Sequence, residues 1–284
     1  TDSQSFKTHN IILATGGFAR NETIVTNYAP SINQHDWHME AWFGMTGDGV
    51  SWLNDLSIPL QNMHHIGLYA HSVTDVVLGF PEVMVVPALE RSLILNQHGE
   101  RIFNEHYTQS LYAGQLMIQE EALYALFDGP LWNGTQFQGM GYNYDIPPIL
   151  SGNDYAELGT VHQHNDLRDL AQALDIDVST MMNSVASYNI GIQEQQDAFG
   201  KDVSNLPPLQ TPPFYAIKLQ LSVGKSFGGA SVNSFGESTI NNFYVVGESA
   251  GFLGTSQVGW GFSGSITASY YLGKQAAEQV VSTY

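Results

Sequence analysis

The sequence predicts a mixed fold, α/β plus α+β, and three features lead to it. Short apolar strands near both ends run into glycine turns: Ile11-Ile12-Leu13-Ala14 into Gly16-Gly17, and Phe243-Tyr244-Val245-Val246 into Gly247. After Asp166 come two stretches of helical period, with Leu167, Leu170, Ala171 and Leu174 on one face, then Met181, Met182, Val185 and Tyr188 on another. Strand-like runs bounded by turn residues fill the centre, and a helix closes the chain.

Taken in order, Asn10 to Phe18 is a short, buried-looking strand ending on a glycine pair, which permits positive φ or close backbone approach. Thr46-Gly47-Asp48-Gly49 opens a helical pattern through Val50, Leu53 and Leu56, with Asp48 as its cap or as a ligand contact. Ser92 to Asn96, the turn Gln97-His98-Gly99-Glu100, and Arg101 to Phe103 predict a hairpin. Gln109 to Gln119 has a helical pattern, and Ala122 to Phe127 is an apolar strand stopped by Asp128-Gly129-Pro130. Trp132 to Asn153 predicts a long surface loop. Asp166 caps the first of the two later helices, whose spacing marks Met181, Met182, Val185 and Tyr188 as core. Asn205 to Pro213 is Pro-rich and polar, a plausible boundary; Phe214 to Leu221 is a strand, followed by a second glycine pair at Gly228-Gly229.

Composition narrows the function classes. The 284 residues carry 27 Asp plus Glu against 9 Lys plus Arg, a formal net charge of −18. Nucleic acids and anionic membrane surfaces are poor partners for such a chain. The absence of cysteine excludes disulfides, thiolate metal sites and cysteine nucleophiles, but leaves the compartment unknown. No run is long enough to span a bilayer and no signal peptide is evident. With no initiator Met and a strand almost at once, the sequence reads as a piece of something longer. The close histidine pairs His35/His38, His64/His65 and His162/His164 lack metal-ligand spacing.

The stretch from Asn242 to Gly264 carries two competing chemical motifs. Gly247-Glu248-Ser249-Ala250-Gly251 matches the nucleophile elbow of serine esterases. That chemistry needs a base, and the last histidine is His164, far upstream of Ser249. Gly259-x-Gly261-x-x-Gly264 matches a dinucleotide fingerprint, but no strand leads directly into it and no room remains for a βαβ unit. What survives is physical: small residues before a helix let backbone N–H groups and the positive helix end face an anionic or electron-rich group.

Ile11 to Asn21, Thr46-Gly47-Asp48-Gly49, Asn96 to Glu105, Leu170 to Asp177 with Tyr188-Asn189 and Phe199-Gly200, Pro213 to Lys218, Gly228-Gly229 and Phe243 to Glu248 occur in one order. In that order they resemble the fumarate reductase and 3-ketosteroid dehydrogenase flavoproteins over nearly the whole chain. The resemblance implies part of a Rossmann-like FAD-binding domain interrupted by a capping domain: residues 1–40 and 213–284 in the former, 41–212 in the latter. It implies FAD as cofactor, with Thr15, Gly16, Gly17, Asp48, Gly247, Glu248, Gly259, Gly261, Phe262 and Ser263 against it. The Gly-rich segment that grips the FAD pyrophosphate in this family is not in the chain, so an upstream segment or a second chain is implied as partner.

The chain departs from the family where dicarboxylates are gripped. The family's first substrate histidine falls at Tyr69, its Thr-Glu pair at Val86-Pro87, its proton-donating arginine at Gln109, its His-His near Gly224-Lys225, and a further arginine at Gln257. Glutamine is neither a cation nor a bidentate carboxylate partner. The resemblance therefore implies a neutral small-molecule substrate rather than a dicarboxylate. Tyr69, Gln109 and Gln257 would face it, and Gly261 stands where the ketosteroid enzymes hold the substrate carbonyl with a backbone N–H. Hydride transfer at a carbon–carbon bond is the implied reaction. A subunit that keeps the fold without the chemistry is the alternative, and an esterase using Ser249 a more distant one.

Overall fold

The computed structural model describes residues 5–35, 37–39, 41–75, 82–85, 89–107, 122–133, 138–139, 161–251 and 262–282. The chain divides into two compact units, one of residues 1–33, 41–67 and 223–284, the other of 34–40 and 68–222. The resemblance puts its boundaries at 40/41 and 212/213. The Pro-rich segment before Phe214 is thus not where the units part. The chain crosses between them at 222/223, within a strand. Among the described residues no helix is long and apolar enough to cross a membrane.

The first unit is built on a parallel pair. Strand β1 (Ile11–Leu13) lies beside the later Phe243–Val245, in register Ile11 to Phe243 and Leu13 to Val245. Leu13 is buried, whereas Ile11 and Ile12 are nearly half exposed, so β1 is less buried than its composition suggests. Helix α1 (Glu22–Tyr28) is capped by Asn21, whose side chain accepts from the Ile24 N–H. Leu53 and Ile58 pack into the same core as Phe243, Tyr244 and Val245, and Leu272 and Ala276 of the closing helix complete it.

The second unit carries most of a mixed sheet, eight-stranded among the described residues. In chain order its strands are β2 (Trp37–Met39), β4 (Ile66–Asp75), β5 (Glu82–Val85), β6 (Leu93–Asn96), β7 (Leu123–Phe127), β8 (Gln138–Gly139), β9 (Val161–His164) and β10 (Phe214–Ser226). The number β3 belongs to Leu60–Gln61, outside this sheet. The path runs β6-β7-β10-β4-β5-β8, with β2 and β9 also pairing to β10. Strand β10 is longer than its sequence pattern predicts, continuing past Leu221 to Ser226. Its central place explains why Ala216, Ile217, Leu219, Leu221 and Val223 are all buried: a strand covered on both faces loses the alternation that marks a half-exposed one.

Two helices cover this sheet. The first (Leu167–Ala173) is capped by Asp166, as its sequence predicts, and the second (Val178–Glu194) by Asp177, whose carboxylate accepts from the Thr180 N–H at 2.8 Å. Met181, Val185 and Tyr188 are buried against Leu93, Leu95, Leu126 and Ala216, with Met182 half-buried beside them. Each such aliphatic side chain contributes about 2 kcal/mol on burial.

The structure alters several expectations. Arg101 to Phe103 does not return along β6 as a hairpin strand. Asn96 closes the turn, its side-chain oxygen accepting from the N–H groups of His98 and Glu100, with Gly99 at φ +83°. The Ile94 N–H is instead met by the Glu105 carboxylate at 3.2 Å, and β6 pairs with β7 in register Leu93 to Leu126. Trp132 is not in a surface loop: it lies in a short helix (Gly129–Asn133), buried and stacked on Tyr215 with ring centroids 4.3 Å apart. Of the rest of that stretch, Gln138-Gly139 forms β8. The remainder, 134–137 and 140–153, lies outside the described residues, as does the helical pattern of 109–119.

A buried charge cluster fastens the turn after β6. Arg101 grips Glu105 with two hydrogen bonds of 2.8 Å and reaches Asp197 at 3.1 Å. Lys201 Nζ donates to Glu105 at 3.1 Å, to the Ser92 carbonyl at 2.6 Å and to the Tyr188 hydroxyl at 3.2 Å. Burial pulls the Lys201 ammonium below its usual range while Glu105 pulls it back. Removing one member of a buried, mutually satisfied set leaves charge uncompensated. Lys201→Met is expected to cost about 3 kcal/mol, read as a lower denaturant midpoint, whereas Tyr188→Phe, which keeps the ring, should cost about 1 kcal/mol.

Candidate functional site

The sequence elements singled out for chemistry meet at the C-terminal ends of the parallel pair in the first unit. Strand β1 and its neighbour (Phe243–Val245) stop at the same level, joined by a bond from the Val246 N–H to the Leu13 carbonyl of 3.0 Å. Each is followed by a left-handed glycine, Gly16 at φ +81° and Gly247 at φ +68°. Among the described residues a Cβ at either would meet nothing within 4 Å, so both turns face open space there. The second glycine pair is different. A Cβ at Gly228 would collide with the Met63 backbone and one at Gly229 with the Ser249 carbonyl. That pair serves close packing, with Gly229-Ala230 paired to Leu60-Gln61.

Helix α2 (Asp48–Asp55) closes on the first turn. Its N-cap is Gly47, at φ +77°, and no side chain caps it. Asp48 is therefore not the cap; it is the first helical residue, exposed, where a negative charge suits the positive helix end. Leu56 lies just past the helix and is about half exposed. The Gly47 N–H donates to the Gly17 carbonyl at 3.2 Å, and Gly49 has no side chain to hold Thr15 away. Thr15 Oγ1 lies 3.2 Å from Ser249 Oγ, which donates to the Gly16 carbonyl at 2.9 Å.

This arrangement answers the esterase motif. Ser249 is buried, and its hydroxyl is engaged by Gly16 and Thr15, neither of which can act as a base. The serine ties two turns together rather than standing as an activated nucleophile.

Glu248 lies under the first turn. Its Oε1 accepts from the Ser226 N–H at 3.0 Å and from the Ser226 hydroxyl at 3.2 Å, and would sit 2.6 Å from a Cβ on Gly17. Burial pushes its carboxyl above the usual range; the Ser226 N–H, the positive Lys225 and the Ser226 hydroxyl partly offset this. Ser226 was missed at the sequence level, since a lone serine at a strand end carries no motif.

Thr15, Gly16, Gly17, Gly247 and Glu248 are thus brought together, with Asp48 at the start of the adjoining helix. Phe262 and Ser263 open the closing helix (Phe262–Ser282). Tyr69 is half-buried on β4, in the other unit. Gln109, Gln257, Gly259 and Gly261 lie outside the described residues, as do Val86 and Pro87.

Residues 1–263 match the family model described as an FAD binding domain. The chain belongs to the FAD binding domain family. It is 24% identical over 269 residues to the NADH:fumarate oxidoreductase of Klebsiella pneumoniae (strain 342), covering 89% of this chain and 26% of that one. It is 23% identical over 247 residues to the 4-oxocyclohex-2-ene-1-carboxylate 5-dehydrogenase of Sinomonas cyclohexanicum, covering 79% and 42%. The chain therefore spans less than half the length of these relatives. Its fold is similar to that of 3-ketosteroid delta1-dehydrogenase from Sterolibacterium denitrificans, with a TM-score of 0.71 at 18% identity, over 97% of this chain and 53% of that one.

FAD is the cofactor of this family, and the residues present suit it. Adjacent parallel strands end in two glycine turns that face open space, which is where open α/β sheets bind their ligands. Backbone can approach a ligand closely there, and a carboxylate lies beside the first turn. The two kinds of glycine separate by mutation. Gly247→Ala has space but a left-handed backbone, and is expected to cost about 1–2 kcal/mol. Gly229→Ala has no space, and is expected to abolish soluble expression. Thermal denaturation and yield of the two variants check this.

Proposed function

We propose that this protein is an FAD-dependent oxidoreductase that dehydrogenates, or reduces, a carbon–carbon bond beside a carbonyl. The observation that carries the reading is the pair of glycine turns, Gly16 and Gly247, open at the ends of adjacent parallel strands in a chain of the FAD binding domain family. The named relatives, one acting on fumarate and one on a cyclic oxo-ene, support the reaction class.

Thr15, Gly16, Gly17 and Gly247 would hold FAD by backbone approach, with Glu248 accepting from nucleotide hydroxyls. Asp48, Gly259, Gly261, Phe262 and Ser263 extend that contact in this reading. In this reading the FAD-binding part is the unit of residues 1–33, 41–67 and 223–284, and the capping part is the unit of 34–40 and 68–222. An upstream segment or a second chain supplies the Gly-rich pyrophosphate grip. When bound, FAD supplies two-electron chemistry. Tyr69, Gln109 and Gln257 face the substrate, the Gly261 N–H holds its carbonyl, and Tyr69 moves the proton. Gln109 and Gln257 can donate to a neutral carbonyl but cannot neutralise a carboxylate. The substrate is accordingly neutral and not a dicarboxylate.

The test uses the natural full-length protein. It should be purified yellow, and once reduced without oxygen it should be reoxidised by a neutral cyclic enone but not by fumarate. Glu248→Gln should weaken FAD binding about tenfold, the effect of losing a hydrogen bond to a charged group. A colourless protein that takes up no added FAD would point instead to a subunit that keeps the fold without the chemistry. Turnover of fumarate would overturn the substrate class.

A further inference from the structure

We infer that Ser226 is a positioning residue for the cofactor site, holding Glu248 and the first glycine turn in one arrangement through a single buried hydroxyl. The inference rests on the FAD reading above and adds a residue to it. Ser226 is fully buried at the end of β10. Its hydroxyl accepts from the Phe18 N–H at 3.0 Å and donates to Glu248 Oε1 at 3.2 Å. Its own N–H donates to the same carboxylate oxygen at 3.0 Å. Three segments far apart in the chain thus converge on one side chain: the turn after β1, the end of β10, and the turn that begins at Gly247.

The chemistry admits few substitutes. One side-chain atom must accept from a backbone N–H and donate to a carboxylate, and hydroxyls are the small groups that do both. The space is closed as well, since a Cβ at Gly17 would strike the Ser226 hydroxyl. With an aliphatic side chain at 226, the Phe18 N–H is buried without this acceptor and the carboxylate loses one of two donors.

Oε1 is taken by the two Ser226 donors, so Glu248 must be ionised for Oε2 to accept from an FAD hydroxyl. Among the described residues the charged groups bearing on it are few. Lys225, on the same strand, favours the ionised form; Ser226 does so through two hydrogen bonds; burial opposes them. Losing the hydroxyl removes one support of the anion, so the pH at which Glu248 ionises rises. FAD affinity, full above that pH and lost as pH falls through it, should then fail at higher pH in the variant.

The experiment titrates FAD into the apo form of the natural full-length protein across pH, following flavin fluorescence, for wild type, Ser226→Ala, Ser226→Thr and Glu248→Gln. Thermal midpoints of the apoproteins are taken alongside. Ser226→Ala is expected to bind FAD about tenfold more weakly near neutrality, with its acid limb moved to higher pH, and Ser226→Thr to restore both. Glu248→Gln should flatten the limb. If Ser226→Ala lowers only the thermal midpoint and leaves affinity and pH profile unmoved while Glu248→Gln weakens binding, Ser226 is structural and the inference is wrong. If Glu248→Gln also binds FAD normally, the placement of Glu248 against the cofactor fails instead.

Discussion

The structure depends on one short ladder. Three residues, Ile11 to Leu13, pair in parallel with Phe243 to Val245. Parallel strands cannot be joined by a tight turn, so the chain between them must leave and return. Here it leaves for a whole second unit. Parallel pairing has a further consequence that an antiparallel pair lacks: both strands end at the same edge. The two left-handed glycines are neighbours for that reason, with the turns cross-linked by Ser249 and by the Val246 N–H. A slip of β1 by one residue would turn Leu13 out of the core and separate the turns.

Much of this was legible because glycine and apolar periodicity are local signals. Gly16, Gly17 and Gly247 could be singled out since a strand running into glycine implies an unusual backbone, and positive φ at Gly16 and Gly247 bears it out. The helices after Asp166 were legible from the Asp166 cap of the first and from their 3.6-residue spacing. What failed depended on distant partners. Arg101 to Phe103 looks like a returning strand because nothing local reveals that Glu105 takes the Ile94 N–H. Trp132 sits in a run rich in Gly, Asn and Pro, yet Tyr215 buries it. Asp48 reads as a cap by composition, but Gly47 takes that position because its left-handed backbone brings the helix against Gly17. Ser226 has no local signature at all.

The charge cluster shows how an acidic chain uses its few cations. Of 9 Lys plus Arg, Arg101 and Lys201 are spent inside the second unit, each against carboxylates that are themselves buried. Glu105 accepts from Arg101, Lys201 and the Ile94 N–H together, so its lone pairs are filled. Buried ion pairs add little net stability over apolar packing, but a set with matched donors and acceptors tolerates few alternatives. Holding the turn in one place beside β6 is the use such a set serves.

The cofactor and substrate sides of the proposed reaction differ in how they are specified. In the proposed reading cofactor contacts come mainly from backbone where the strands end, with the Glu248 carboxylate beside it, so they depend on the ladder, the glycines and the Ser226–Glu248 pair. Substrate contacts are side chains whose chemistry is the whole of the message. In the proposed reading glutamine stands at positions 109 and 257 where the family carries arginine, which keeps a neutral donor but removes a cation and its fork of donors. A site altered in that way keeps its affinity for a carbonyl, which needs only a donor, and loses it for a carboxylate, whose desolvation only a paired charge offsets. On that proposal the same scaffold changes substrate class with FAD unaffected, because Glu248 and Ser226 lie by the strand ends and not among the residues that differ.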